Sequence, residues 1–169
     1  MAVSMLSRAG QLEYYNHMRR SGRFGLFCVC VLFLISSHHV SAGIDFFSIA
    51  GNAVIMYDAP STKSGRLFIA SANLPVEVVV NVEGWSKVRD SSGSLAWVEQ
   101  NALSKQRFVI VIAPLADIYQ SANEDSEIIF QAQENVVMEW IDSDISGWVR
   151  VRHRDGQAGY VRSNQVWGA

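Results

Sequence analysis

Hydrophobic and polar residues alternate in short stretches from about residue 54 to the end of the chain. The first half of this region has five such stretches bounded by Gly, Pro, Ser or Asp, at residues 54–57, 66–69, 76–82, 85–89 and 95–98. A period of two with many Val, Ile and Trp residues indicates half-buried β-strands. No sustained helical period occurs after residue 42. The pattern therefore predicts an all-β protein.

The same series of strands and turns occurs twice. Gly84-Trp85 and Gly147-Trp148 are 63 residues apart. The same offset relates Ile55 to Ile118, Ala59 to Ala122, Val88-Arg89 to Val151-Arg152, Gly93 to Gly156, Val98 to Val161 and Asn101 to Asn164, while Trp97 and Tyr160 match in kind. This period is longer than a solenoid unit, so each copy is expected to be a small domain of its own. We place the copies at residues 51–104 and 108–169.

Each copy is expected to close into a barrel. The second copy repeats the strands at residues 117–119, 128–130, 136–141, 148–152 and 158–161. Five short strands in an open sheet would leave unpaired edges, which a small closed barrel removes. The linker between the copies, residues 105–107, is short, and residues 108–112 are apolar enough to form a strand shared between the barrels.

These motifs resemble the bacterial SH3 domain family. The resemblance lies in a Pro-Ser-Thr turn at residues 60–62, a Val-rich strand at 76–79, Gly-Trp followed by a Val-Arg strand at 84–89, Trp-Val at 97–98 and an apolar end at 166–168. It covers nearly all of residues 51–169 and is similar in particular to a two-copy group of small exported proteins of Gram-negative bacteria. The resemblance implies two tandem SH3-like small β-barrels. Two positions depart from the family, since Asn73 and Ala96 stand where Gly is usual, and Ala tolerates a left-handed conformation poorly.

The N-terminal segment is typical of a secretory signal peptide. From Met18, a plausible true start, Arg19, Arg20 and Arg23 precede an apolar run at 24–35, and small residues end at Ala42. This order predicts cleavage after Ala42, before Gly43, and a periplasmic or secreted protein. As a helix, the run would rise about 18 Å, too little for a hydrocarbon core of about 30 Å, so no stable membrane anchor is expected after cleavage. Both cysteines, Cys28 and Cys30, lie inside this run, and neither follows the cleavage site as a lipid-anchored cysteine would.

Charge and composition argue against several function classes. Residues 1–42 carry a net charge of +3, so residues 43–169 carry −5, which gives no basic surface for nucleic acid. After residue 42 there is no cysteine, and His153 is the only histidine. We therefore expect no catalytic residue, no metal site and no cofactor, and an enzyme is the least favoured function. His153 and the acidic run at 124–127 are interpreted as solvated loop residues.

Aromatic residues remain as candidates for binding. Trp85 and Trp148 each follow a glycine and open a strand, near the groove where the resemblance to SH3-like barrels implies peptide binding. Tyr57 and Tyr119 precede the first long loop of each copy, and Trp140 completes the candidate set. Trp97 and Tyr160 are expected to be mainly structural, because large rings in small barrels are usually core.

The sequence thus favours a non-catalytic binding module of the periplasm or cell envelope. Its expected partner is a peptidoglycan peptide or an envelope protein. The alternative is a structural or assembly factor in which the two barrels pack rigidly and one outer face docks on another envelope protein. Duplication suits the first function, since two linked sites raise avidity without new contacts.

Overall fold

The computed structural model describes residues 45–143 and 146–169. The predicted signal peptide and its cleavage site lie outside these residues. Within the described ranges no helix is long and apolar enough to cross a membrane. The strands of the first half are β1 (Asp45–Ile49), β2 (Val54–Tyr57), β3 (Arg66–Ala70), β4 (Pro75–Val82), β5 (Trp85–Arg89), β6 (Leu95–Glu99) and β7 (Leu103–Ser104). Those of the second half are β8 (Phe108–Val111), β9 (Leu115–Tyr119), β10 (Ile128–Gln133), β11 (Val137–Ser143), β12 (Trp148–Arg152), β13 (Ala158–Arg162) and β14 (Val166–Trp167).

The fourteen strands form two antiparallel sheets of seven strands with the same topology. The order is β3-β2-β6-β5-β4-β1-β7 in the first sheet and β10-β9-β13-β12-β11-β8-β14 in the second. A short 3-10 turn precedes the last strand of each, at Gln100–Ala102 and Ser163–Gln165. The prediction of two tandem SH3-like β-barrels is confirmed. Each barrel has seven strands where five were expected. The additional strands are β1 and β7 in the first barrel, where β1 pairs with β4 and β7, and β8 and β14 in the second, where β8 pairs with β11 and β14.

Each barrel has its own hydrophobic core. The first core consists of Ile49, Met56, Ala70, Val76, Val88, Ala96 and Val98. The second consists of Val109, Val111, Ala116, Ile118, Ala132, Met138, Val149, Val151, Val161 and Val166. The inward residues alternate with outward ones along the strands, as a period of two requires. Residues 108–112 were expected to form a strand shared between the barrels, but the partners of β8 in the register are β11 and β14, both in the second sheet.

The register corrects the repeat offset. Tyr57 of β2 is opposite Trp97, and Tyr119 of β9 is opposite Tyr160, so Tyr57 and Tyr119 occupy equivalent positions. Strands β2 and β9 therefore correspond at an offset of 62 residues. The later strands correspond at 63, as expected for Trp85 and Trp148. The second copy therefore has one extra residue in the hairpin between β11 and β12. The expected matches of Ile55 with Ile118 and of Ala59 with Ala122 were wrong, because the counterpart of Ile118 is the buried Met56 and the loop hydrogen bonds make Ser121 the counterpart of Ala59.

The two departures from the family pattern have different structural reasons. Asn73 has a positive φ of 68°, and its counterpart Asn135 has 69°, so asparagine supplies the left-handed turn that glycine would. Ala96 lies in the extended strand β6, and no left-handed conformation is needed there. Its counterpart Gly159 is a packing position, since a Cβ there would lie 2.5 Å from Cγ2 of Ile118 and 2.6 Å from the carbonyl oxygen of Tyr119.

Arg107 holds the end of the second barrel against the first. Its guanidinium carbon lies 4.2 Å from the ring centroid of Trp140 and 5.8 Å from that of Phe46. Nη2 donates to the carbonyl oxygen of Gly168 at 2.9 Å, and Phe46 contacts Trp167 edge to face at 4.9 Å. Burial lowers the pKa of Arg107, because partial removal from water disfavours the charged form. Phe46 lies in β1 of the first barrel and the other partners lie in the second, so these contacts form a joint between the barrels.

Candidate functional site

A tyrosine and a tryptophan meet at the same place in each barrel. Tyr57 ends β2 and Trp85 opens β5, and their rings contact edge to face with centroids 5.4 Å apart and planes at 85°. Tyr119 and Trp148 repeat this contact at 5.5 Å and 85°. Each tyrosine directly precedes the long loop after its strand, and each tryptophan directly follows a Gly turn. The structure therefore brings four of the five candidate residues together as two equivalent pairs.

The register places a third aromatic residue beside each pair. Trp85 is opposite Glu99, and Lys87 is opposite Trp97, so these four side chains share the outer face of β5 and β6. The alternate residues of the same strands, Ser86, Val88, Ala96 and Val98, are buried. Trp97 is half-buried and belongs to no core cluster.

Trp97 and Tyr160 thus line the outer faces rather than the cores. We call Tyr57, Trp85 and Trp97 the first aromatic face, and Tyr119, Trp148 and Tyr160 the second aromatic face. A cation stands over the third ring in each, Lys87 over Trp97 and Arg150 over Tyr160, both 6.0 Å from the ring centroid. The alternation of residues within 95–99 and 158–162 would have assigned Trp97 and Tyr160 to the outer face.

The two faces differ in how their tryptophans are covered. In the second, the guanidinium carbon of Arg162 lies 4.1 Å from the ring centroid of Trp148, and Nη2 of Arg162 lies 2.8 Å from Oε1 of Glu124. Trp148 is only 3% exposed. In the first face the residue opposite the tryptophan is Glu99, and Trp85 stays half-buried. Glu124 belongs to the acidic run that we interpreted as a solvated loop, and its exposed carboxylate nevertheless has this defined partner.

Polar groups border the first aromatic face. Nε2 of Gln100 donates to the carbonyl oxygen of Trp85 at 3.2 Å and to Oδ1 of Asn81 at 3.3 Å. Oδ1 of Asn81 also accepts a hydrogen bond of 2.6 Å from the buried hydroxyl of Ser86. These contacts hold the β4–β5 turn against the 3-10 turn. The rim beside Trp85 is therefore preorganised.

Trp140, the fifth candidate, lies elsewhere. It packs against the second core, and its ring faces Arg107 at the joint. Its Nε1 donates to Oγ of Ser143 at 2.7 Å. The structure does not bring Trp140 together with either Tyr–Trp pair.

His153 lies in the turn after β12, as the sequence predicted. Its Nδ1 is 3.0 Å from Oδ2 of Asp155, and its ring is 5.8 Å from that of Phe130. The backbone amide of Gln157 and the His153 side chain lower the pKa of Asp155. Within the described ranges no three His, Cys, Asp or Glu side chains cluster closely enough to hold a metal ion.

An open cleft of about 610 Å³ lies beside His153, between a turn of the first barrel and the second. Ala72 and Asn73 line one side, and Arg152, His153 and Arg154 line the other. The Arg152 charge is already paired with Glu139 at 3.1 Å. The cleft offers few aromatic contacts, and the aromatic faces remain the better candidates for a binding site.

Comparison with known proteins places this geometry in a family. The family model of the bacterial SH3 domain matches residues 50–105 and again residues 113–168. No curated protein matches the sequence. Similar solved structures include NlpC2 and NlpC1 from Trichomonas vaginalis, at 16% and 14% identity with TM-scores of 0.35 and 0.34. Another is an NlpC/P60 family protein from Bacillus cereus, at 17% identity with a TM-score of 0.34.

These structural matches cover 73%, 73% and 72% of this chain and 47%, 45% and 55% of the matched chains. The chain thus spans about half the length of the solved structures it matches. The two segments matched by the family model together cover more than half of the 169 residues, and each lies within one seven-stranded unit of the same topology. The chain therefore belongs to the bacterial SH3 domain family, and it contains two copies of that domain in tandem.

Proposed function

We propose that this chain is a non-catalytic binding protein of the bacterial cell envelope, exported and cleaved after Ala42. Its ligand is a peptidoglycan stem peptide or a protein partner of the envelope. Membership of the bacterial SH3 family supports a cell-wall ligand, because domains of this family serve as cell-wall binding modules. The observation that carries the proposal is the first aromatic face, with its half-buried Trp85 and its preorganised rim.

The composition of this face suits binding. Rigid rings give up little conformational entropy when a ligand covers them, and a few desolvated aromatic contacts supply most of the energy of many interfaces. The edge-to-face contact with Tyr57 fixes the orientation of Trp85 before a ligand arrives. The polar neighbours include the amide of Gln100, the carboxylate of Glu99 and the ammonium group of Lys87, which can orient an extended peptide.

The test is a pulldown of the protein with intact peptidoglycan sacculi. We expect Trp85→Ala to reduce the affinity about tenfold or more, since a hot-spot ring commonly contributes about 2 kcal/mol. Trp85→Phe keeps an aromatic ring and should retain most of the binding. Melting is measured beside binding for each variant, because loss of a structural ring would unfold the barrel. A folded Trp85→Ala protein that binds sacculi like the wild type contradicts the proposal.

A structural or assembly role is the second candidate, and the joint at Arg107 favours it. A short linker and a stacked guanidinium hold the two barrels together, as an adaptor with one continuous docking surface requires. No binding to sacculi, together with retention of an envelope protein that Trp85→Ala does not release, would favour this role.

A further inference from the structure

The second aromatic face contains its own occupant. The guanidinium of Arg162 lies over the ring of Trp148, which is opposite it in the register, and Glu124 from the β9–β10 loop holds this guanidinium. A guanidinium stacked on an indole and paired with a carboxylate is a favourable arrangement in a partly desolvated place. The chain itself thus shows which chemical group this kind of face accepts.

The equivalent positions of the first face carry different residues. The position of Arg162 is taken by Glu99, and the matching loop hydrogen bonds show that the position of Glu124 is taken by Thr62. The stacked cation is therefore missing from the first face, while a carboxylate stands opposite Trp85 in its place. The first face keeps the ring and has a carboxylate where the second face has its cation, so a cation that pairs with this carboxylate over the ring would come from a ligand.

The basic residues to consider here are Lys87, Lys63 and Arg66, which is opposite Tyr57 in the register, and none of them forms an ion pair with Glu99 among the described residues. Lys87 stands over Trp97, with its Nζ 6.0 Å from the ring centroid. Lys63 lies in the exposed β2–β3 loop. The carboxylate is half-buried and available to an incoming cation.

We propose that the first aromatic face binds a cationic side chain, a guanidinium or an ammonium on an extended peptide, against Trp85 and Glu99. The second face is closed to such a ligand by Arg162. This inference rests on the proposed function, because it names the chemistry of the ligand at the same site. It assigns the two copies different roles, one open for recognition and one self-occupied.

The test is an NMR titration of the ¹⁵N-labelled protein with N-acetylarginine amide, following the indole N–H signals of Trp85 and Trp148. N-acetylcitrulline amide is the matched probe, because it is nearly isosteric and uncharged. We expect the arginine probe to shift the Trp85 signal and to bind about fivefold to tenfold more tightly than the citrulline probe. The Trp148 signal should stay unchanged.

Three variants complete the test. Glu99→Gln should abolish the preference for arginine over citrulline, whereas Glu77→Gln, which removes a carboxylate paired with Arg89, should leave it intact. Arg162→Gln should make the Trp148 signal respond to the arginine probe. A dispersed spectrum for each variant shows that it is folded.

The outcomes separate the two proposals. Equal affinity for both probes in the wild type, or an unchanged arginine preference in folded Glu99→Gln, overturns the cationic ligand even if the protein binds sacculi. An arginine preference that depends on Glu99, in a protein that does not bind sacculi, supports the inference and removes the peptidoglycan ligand from the proposed function. A Trp148 signal that responds in the wild type contradicts the closure of the second face.

Discussion

The joint between the barrels gives the sharpest test of how they are held together. Arg107→Ala removes a guanidinium that stacks on Trp140 at 4.2 Å and donates to Gly168 at 2.9 Å. A partly desolvated cation–π contact is worth about 2 kcal/mol, and a charged hydrogen bond about 1.5–3 kcal/mol. Burial opposes these gains, as the lowered pKa of Arg107 shows, and Nε is buried with no hydrogen-bond partner among the described residues. The desolvation of the unpaired Nε costs about 2 kcal/mol. The net contribution of the Arg107 side chain to the free energy of unfolding is therefore about 2 kcal/mol.

Differential scanning calorimetry measures this contribution. A loss of about 2 kcal/mol corresponds to a decrease in Tm of about 8 °C for a protein of this size. Because each barrel has its own core, we also expect the wild-type protein to unfold in one transition and Arg107→Ala to unfold in two. Arg107→Lys keeps a charge but loses the planar stacking surface, so its Tm should lie between those of the wild type and of Arg107→Ala. Arg154→Ala, at an exposed arginine in the β12–β13 turn, is the control. An unchanged single transition in Arg107→Ala would refute the reasoning.

Three further predictions concern packing, the turn histidine and export. Gly159→Ala should destabilise the protein by about 1–3 kcal/mol, because the added methyl group overlaps with Ile118. Ala96→Gly at the equivalent position should cost about 1 kcal/mol or less. Urea denaturation measures both losses of stability, and equal losses would contradict the packing argument. His153→Ala should leave the affinity for sacculi within about twofold of the wild type, because the partner of His153 is an exposed turn residue. A larger loss of affinity would indicate that the ligand binds in the cleft beside His153. Mass spectrometry of the exported protein should find Gly43 as its first residue; an intact apolar run at 24–35 would contradict cleavage.

Local alternation was sufficient to predict most strands. Residues 85–89 were predicted with the observed bounds, because inward Ser86 and Val88 alternate with outward polar or amphipathic residues. Strand β1 was not predicted, since Phe46 and Phe47 are adjacent apolar residues without alternation and precede the recognised repeat. Its two neighbours in the sheet, β4 and β7, are distant in sequence. No local pattern could indicate that pairing.

The candidate site was predicted in part. The Gly-Trp turns indicated Trp85 and Trp148, and the structure places a tyrosine from the expected strand against each. The cover of Trp148 could not be predicted, because Arg162 and Glu124 are 38 residues apart and meet only through the register of β12 with β13 and the position of a loop. A gapless comparison also obscured the single insertion that shifts the offset between the copies.

In each barrel the first strand pairs with the last, β1 with β7 and β8 with β14. This pairing affects whether the two similar repeats can exchange strands while they fold. Strand β1 lies between β4 and β7, and β8 lies between β11 and β14. Neither barrel can complete its sheet until its final residues have emerged during synthesis or export. The first barrel has all its strands once Ser104 has emerged, before β8 begins at Phe108. At that moment no strand of the second copy has emerged to compete, so we expect vectorial emergence of the chain to disfavour strand swapping between these similar neighbours.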